Sequence, residues 1–183
     1  MTDSAATRLD AIEIVAATAA DVPAIVALFL ANRRDHGLFQ EHEGEVRRNW
    51  PNFLLARSPD GRVLGCAGVR PNPGGWAELF GVAVLPSRQG CGLGTRLIPQ
   101  CVAAAAQRGV THLWLATMKP GYFARFGFGP MSPWALPAPV LLRKLGQVFH
   151  QPADRWAPVL LGRRHCFMLM ELGGIERPAS SRP

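Results

Sequence analysis

Three glycines at alternate positions, Gly90, Gly92 and Gly94, form the segment with the clearest chemical meaning in the sequence. They follow a β-forming run over residues 76–84 and lead directly into a helical stretch. Because glycine adopts backbone conformations that are closed to other residues, such a loop can turn several N–H groups toward one point. The helix adds unpaired amides and the positive end of its dipole. The segment therefore predicts a phosphate-binding loop, and a glycine-rich turn without function is the alternative.

The spacing of these glycines separates three known kinds of phosphate-binding loop. A dinucleotide-binding G-x-G-x-x-G loop needs glycine where the chain has Thr95 or Leu97, and a P-loop needs lysine followed by serine or threonine after its last glycine. The pattern that remains is arginine or glutamine, two residues, glycine, one residue, and glycine or alanine. The chain fits this pattern from Gln89 onward, with Arg88 beside it.

One carboxylate stands in a strongly basic part of the chain. Residues 61–130 hold seven lysines and arginines but a single acidic residue, Glu78, and the whole chain has a net charge of +7. Glu78 lies in an apolar run, where burial would raise its pKa and make it a better proton acceptor near neutrality. The alternative is a structural ion pair with an arginine. The basic surplus predicts an anionic ligand, either nucleic acid or a polyanionic small molecule.

Length and composition indicate the class of protein that positions these residues. With 183 residues, of which 48% are hydrophobic, we expect one folded domain, and 16 prolines with 19 glycines exclude an all-helical fold. The chain has no charge-free stretch that could span a bilayer, and its first residues do not resemble a secretory signal, so we predict a cytoplasmic protein. The four cysteines lack metal-finger and C-x-x-C spacing and are predicted to be buried thiols.

Periodicity and turn residues predict a mixture of helices and strands. Capping-box spacing at Thr18 and Asp21 opens a first helix that should end near Gly37. Gly81 interrupts the strand 76–84, and a glycine inside a strand often marks a bulge or the close approach of a ligand. The other predicted elements are a short helix at 43–49, a hairpin of 53–56 and 63–69, a helix from the glycine loop to about Arg108, a strand at 111–117, a short helix at 121–126, helices around 140–149, a strand at 165–172 and a disordered tail at 176–183.

The loop and its flanking segments resemble the GNAT superfamily of N-acetyltransferases over roughly residues 12–131. The resemblance rests on the strand Ala77-Glu-Leu-Phe-Gly-Val-Ala-Val84, the loop 88–94 and the exit motif Tyr122-Phe-Ala-Arg-Phe-Gly-Phe128. A narrower resemblance is to the acetyltransferase domain of N-acetylglutamate synthases. It rests on Gly37-Leu-Phe, the segments 53–56 and 65–68, Ala77-Glu-Leu and the closing Phe123-Ala-Arg-Phe-Gly-Phe128.

The resemblance implies an α/β (α+β) fold, in which a mixed central sheet is flanked by helices, with a helical C-terminal extension. It implies one acetyltransferase domain over residues 1–175, with 131–162 as a helical insertion or extension. It also implies acetyl-CoA as the cosubstrate, no metal, and direct attack of an amine on the thioester. The residues that it assigns to acetyl-CoA are Val82, Ala83, Val84, Arg88, Gln89, Gly90, Cys91, Gly92, Leu93, Gly94 and Thr95.

Three residues receive catalytic roles from the resemblance. Glu78 occupies the place of the general-base glutamate of histone-acetylating members, and the amide of Val82 is expected to polarise the thioester carbonyl. Many members carry a tyrosine that protonates the departing thiolate, but Phe123 stands at that position. Tyr122, one residue earlier, is the other candidate for this acid, and packing of its ring against the core is the alternative.

The resemblance implies a small-molecule primary amine as the acceptor, with an amino acid as one option, and it leaves a homodimer open. The acidic stretch 40–45 argues against glutamate and favours an amine with extra positive charge, although Arg33, Arg34 and Arg70 could bind a carboxylate. Two other functions stay open: a catalytically silent acyl-CoA-binding regulatory module, and a protein or peptide N-acetyltransferase. The tryptophans are not interleaved with basic residues, so nucleic acid is not favoured, and no membrane partner is predicted.

Overall fold

Segments of β-forming and helical character alternate along the chain and build one mixed sheet with helices on its faces. The structure is a computed structural model that describes residues 9–32, 43–149 and 166–173. Its strands are β1 (Glu13–Ala16), β2 (Phe53–Arg57), β3 (Val63–Pro71), β4 (Trp76–Val84), β5 (His112–Thr117), β6 (Gly129–Met131) and β7 (Cys166–Glu171). Its α-helices are α1 (Val22–Ala31), α2 (Glu43–Asn49), α3 (Leu93–Gln107), α4 (Pro120–Ala124) and α5 (Ala138–Phe149).

The sheet has the strand order β1-β2-β3-β4-β5-β7-β6. Neighbouring strands are antiparallel except β4 and β5, which run parallel. The α3 helix packs against β2, β3 and β4, whereas α1 packs against β3 and β4 within a separate apolar cluster. The sheet is thus covered on both faces, as expected for strands that are apolar throughout. The predicted mixed sheet flanked by helices is confirmed.

A third apolar cluster attaches α5 to the sheet. Trp114 on β5 is fully buried and packs with Leu136 and Val140. Trp114 also stands opposite Glu78 in the parallel β4–β5 register. Because the cluster fixes Val140 beside this pair, the next turn of α5 is brought to Glu78.

The predicted first helix is too long. It ends at Ala31, because Asn32 leaves the helical conformation (φ −100°, ψ 15°) and turns its side-chain amide back to the carbonyl of Leu28. The strands β1 and β6 were not predicted, since both are short and β6 contains Pro130, which disfavours a strand. Gly37 and the predicted tail at 176–183 lie outside the described residues.

Two of the four cysteines contradict the prediction of buried thiols. Cys66 and Cys101 are buried, but Cys91 and Cys166 are exposed, and all four are free. Burial raises the pKa of the Cys101 thiol to about 12, so this sulfur is unreactive at neutral pH.

Candidate active site

The parallel strands β4 and β5 separate in the middle of the sheet. They are paired at residues 76–78 and 112–114, and beyond this point β4 continues to Val84 and β5 to Thr117 as the two arms of a fork. The arm of β4 that faces the fork carries backbone groups that a strand neighbour would otherwise use. An extended ligand can therefore pair with this arm as an added strand does.

A bulge at Gly81 shapes the β4 arm, as the sequence predicts. The register of β3 and β4 passes from Cys66 opposite Ala83 to Gly68 opposite Phe80, so β4 contains one extra residue. Gly81 has a φ of +59°, and a Cβ there would come within 2.9 Å of the Phe53 ring. Only glycine meets both conditions. The bulge falls next to Val82, whose amide is the predicted oxyanion donor.

The glycine loop reaches the fork from the end of β4. Gly90 and Gly92 have φ values of +77° and +84°, and Gly92 is the N-cap of α3. These conformations favour glycine and turn the loop backbone over the first turn of a 15-residue helix. The amides at this helix start have no intrahelical acceptor, so the loop has the geometry of an anion site.

A buried amide that the sequence analysis missed connects the loop to α1 and β4. Asn32 is only 5% exposed, and its Nδ2 donates to the carbonyls of Leu28 (2.8 Å) and Val84 (3.1 Å). Its Oδ1 accepts from Nε2 of Gln89 at 2.7 Å. The partners lie 52 and 57 residues away along the chain, and a single asparagine after a helix carries no sequence signal for such a contact.

We expect Asn32→Ala to weaken acetyl-CoA binding about tenfold, because the Gln89 side chain loses its anchor and the loop loses a hydrogen bond worth about 1–1.5 kcal/mol. Calorimetric titration measures the change. Gln89→Ala should cause a similar loss, and the double variant should be no weaker than either single one. Independent, additive losses would show that Asn32 does not act through Gln89.

At the other end of the fork, Glu78 is surrounded by three cations. Glu78 is 3% exposed; its Oε2 accepts from Arg70 Nη1 and Arg143 Nη2, both at 3.2 Å, and its Oε1 accepts from Lys144 Nζ. Arg70 and Lys144 are 6% and 5% exposed. We call Arg70, Arg143 and Lys144 the cationic cluster. Among the described residues, the three cations contact one carboxylate at hydrogen-bond distance, and Glu45 meets Arg70 at 3.9 Å.

The expectation that burial leaves Glu78 with a raised pKa is wrong. Burial by itself raises the pKa, but the charges of Lys144, Arg70 and Arg143 together outweigh it, so the pKa lies below its ordinary value of 4.5. Glu78 is therefore ionised at neutral pH, and both of its oxygens are occupied. The structural ion pair, which was the alternative interpretation, is the arrangement observed.

Two of these cations come from α5, whose role the sequence left undefined. Arg143 also donates to Oδ1 of Asn72 at 2.8 Å, and the Lys144 ammonium lies 5.3 Å from the centroid of the Trp114 ring. The sequence contains a signal for the position of Lys144, because Val140 and Lys144 are four residues apart and share one helix face. A lysine on the buried face of an apolar helix indicates a buried acidic partner.

The acidic stretch 40–45 is described only from Glu43 onward. Glu43 pairs with Arg47 at 2.7 Å and Glu45 pairs with Arg48, so both carboxylates are engaged within α2. Arg33 and Arg34 lie outside the described residues. Arg70, the third predicted carboxylate ligand, belongs to the cationic cluster. The described charges at this end of the fork thus favour an anion more than the sequence indicated.

A cavity of about 780 Å³ joins the loop and the fork to Glu78 and Lys144, whereas Arg70 and Arg143 are not among its lining residues. The predicted residues that line it are Glu78, Val82, Ala83, Val84, Arg88, Gln89, Gly90, Gly92, Leu93, Gly94, Thr95 and Tyr122. Cys91, also assigned to acetyl-CoA, is exposed and is not among the lining residues. Asn32 and Lys144 add to the predicted set.

The exit motif forms α4 and places two aromatic rings at the cavity. Phe123 is buried, and Tyr122 is half-buried with its hydroxyl against Gly94 in the first turn of α3. Both residues line the cavity. The tyrosine hydroxyl therefore lies at the loop.

Within residues 9–32, 43–149 and 166–173, no group of three His, Cys, Asp or Glu side chains is placed to hold a metal ion. In the same part of the chain, every helix is too short or too polar to cross a bilayer.

Comparison with known proteins agrees with this geometry. Residues 22–128 match the model of the acetyltransferase (GNAT) family. An amino-acid acetyltransferase of Ralstonia nicotianae is 33% identical over 114 residues, which are 61% of this chain and 25% of that protein. The chain thus spans about a quarter of this relative's length.

Two solved structures share the fold. A Mycobacterium tuberculosis protein in complex with CoA and a second ligand superposes with a TM-score of 0.71 at 24% identity, over 87% of this chain and 99% of that one. The N-acetylglutamate synthase of Neisseria gonorrhoeae, in complex with coenzyme A and N-acetyl-glutamate, gives a TM-score of 0.70 at 23% identity, over 88% of this chain and 35% of that one. The resemblance to N-acetylglutamate synthases noted in the sequence is confirmed by these similarities.

Proposed function

We propose that this chain, which belongs to the acetyltransferase (GNAT) family, transfers the acetyl group of acetyl-CoA to a primary amine. The acceptor is a small molecule that carries a carboxylate, such as an amino acid. The observation that carries the proposal is the cavity of about 780 Å³, which is lined by the glycine loop, by the open edge of β4 and by Glu78 and Lys144 at the cationic cluster.

The loop and the fork bind different parts of acetyl-CoA. Amides of residues 89–95 and the N-terminus of α3 bind the pyrophosphate, and the edge of β4 pairs with the pantetheine arm. The thioester then lies at the bulge, where the Val82 amide donates to its carbonyl oxygen. This hydrogen bond strengthens as the oxygen gains negative charge during attack by the amine, and it lowers the barrier for that reason.

The cationic cluster binds the carboxylate of the acceptor. Lys144 is buried and lines the cavity, so its charge attracts an anion there across a medium of low dielectric constant. Glu78 holds the three cations in place. The same positive field lowers the pKa of a nearby ammonium group, which then loses its proton to water before it attacks. Glu78, which is ionised and occupied, acts as the anchor of the cluster.

A thiol-release assay with a panel of acceptors tests the function. Wild-type protein with acetyl-CoA should release CoA with free amino acids, and much less with amines that lack a carboxylate or with peptides whose N-terminal amine is far from one. Binding of acetyl-CoA without thiol release from any acceptor would favour the silent regulatory module. Preference for peptides would favour the peptide N-acetyltransferase.

Lys144→Met should raise the KM for a carboxylate acceptor tenfold or more, because one cation of the cluster is lost while Arg70 and Arg143 still neutralise Glu78. The KM for acetyl-CoA should stay within twofold of wild type. Lys119→Met removes an exposed lysine that also lines the cavity, and it should leave the acceptor KM unchanged. Equal acceptor KM values in wild type and Lys144→Met would contradict the assignment of the carboxylate to the cluster.

A further inference from the structure

The backbone conformation at position 94 does not require glycine, but a neighbouring side chain does. Gly94 lies in the first turn of α3 with an ordinary negative φ, so alanine would fit its backbone, and the loop pattern accepts either residue. A Cβ built there would overlap the hydroxyl oxygen of Tyr122 and lie 3.4 Å from its Cζ. The missing side chain of Gly94 therefore makes room for the tyrosine hydroxyl.

The Tyr122 ring is held in this place from its other sides. The guanidinium of Arg125 lies 4.7 Å from the ring centroid. Phe123 and Phe126 contact the ring edge-on, with centroid distances of 5.2 and 5.5 Å. Moving the hydroxyl away from α3 would disrupt these contacts. A larger residue at position 94 would therefore displace the Tyr122 ring only at a cost in free energy.

The direction of the contact identifies what the hydroxyl faces. In an α-helix each Cα–Cβ bond tilts toward the N-terminus, so an atom on the Cβ side of Gly94 lies toward the start of α3. The unpaired amides of the helix lie in this same first turn. Tyr122 and Arg125 both line the cavity here, from α4.

We infer that Tyr122 is a ligand of the coenzyme's pyrophosphate: its O–H donates to a phosphate oxygen held on the loop, and Gly94 is the residue that admits it. The inference rests on the proposed function and adds a donor from α4 to the amides of the loop. In this role Tyr122 binds the coenzyme's phosphate and does not protonate the departing sulfur, which the proposed function places at the bulge of β4.

Kinetics with two acetyl donors, one with phosphates and one without, show whether Tyr122 binds the phosphate or protonates the departing sulfur. Tyr122→Phe should raise the Kd for CoA about tenfold or more, which is the usual loss for a hydrogen bond to a charged group, with kcat within a factor of two. With S-acetyl-N-acetylcysteamine, a thioester without phosphates, its kcat/KM should equal that of wild type. An unchanged Kd for CoA, or a kcat loss above tenfold with both donors, would overturn the inference. Wild-type protein that neither binds CoA nor releases thiol would instead contradict the proposed function.

A rescue experiment tests the role of Gly94 by calorimetry with CoA. Gly94→Ala should weaken binding more than tenfold, and adding Tyr122→Phe should restore the affinity to that of Tyr122→Phe alone, because the overlapping atom is gone. Gly121→Ala, next to Tyr122 with open space at its Cβ, is the matched control and should bind as wild type does. Wild-type affinity in Gly94→Ala, or losses that multiply in the double variant, would show that the two residues do not share a site.

Discussion

Replacing Glu78 with glutamine is expected to lower the free energy of unfolding by about 3–5 kcal/mol, because the buried cations of the cluster lose the carboxylate that neutralises them. Chemical denaturation at pH 7 measures this loss. Acceptor turnover should fall as well, since Lys144 and Arg143 lose their fixed positions, and raising the pH to 9 should not restore it. Glu45→Gln, which removes the more distant carboxylate, is the control and should cost less than about 1 kcal/mol.

Glu78→Gln should also change how the stability of the protein depends on pH. The pKa of Glu78 is lowered in the folded protein, so its contribution to stability is complete above the ordinary value of 4.5 and is lost as the pH falls through the lowered value. Stability of Glu78→Gln should therefore depend less on pH in the acid range than that of wild type. If Glu78→Gln instead keeps wild-type stability, loses about 10² in turnover at pH 7 and recovers at pH 9, Glu78 is the proton acceptor.

Gly92→Val is expected to reduce acetyl-CoA affinity more than 100-fold. Valine must either hold the positive φ of +84°, at a cost of about 1–2 kcal/mol, or abandon it and rotate the neighbouring amides away from the anion site. The bulky side chain also stands at the start of α3, at the proposed phosphate site. Calorimetry gives the affinity, and circular dichroism should show an intact fold.

Gly109→Val is the matched control for this variant. Gly109 has a similar φ of +75° and open space at its Cβ, but it follows the far end of α3. It should suffer the same backbone strain and bind acetyl-CoA as wild type does. Equal affinities in Gly92→Val and wild type would rule out the loop as the pyrophosphate site.

Local signals were enough to predict the frame of the site. The bounds of β4, its bulge at Gly81 and the passage from glycine loop to helix all follow from residues within about ten positions of one another. A glycine in a turn that requires positive φ indicates the same local structure in any fold. The same holds for a strand that is apolar on both faces. The central strand of the sheet and the glycine loop that leads into α3 could therefore be predicted from the sequence.

The electrostatics of Glu78 could not be predicted in the same way. Its partners are 8, 65 and 66 residues away, and two of them lie on a helix whose position depends on the packing of Trp114 against Val140. Burial of a strand carboxylate was predicted correctly, but the sign of its pKa shift depends on how many cations are brought to it by tertiary structure. The bridge from Asn32 to Gln89 was missed for the same reason.

The proposed reaction transfers the acetyl group of acetyl-CoA to an amine that the protein recognises by the carboxylate of the same molecule. The most direct measurement compares kcat/KM, by thiol release at saturating acetyl-CoA, for an amino acid and for the corresponding carboxamide, which keeps the amine and the side chain. We expect wild-type protein to prefer the acid at least tenfold, and Lys144→Met to remove most of this preference. Equal use of the acid and the amide by wild-type protein would contradict the proposed reaction.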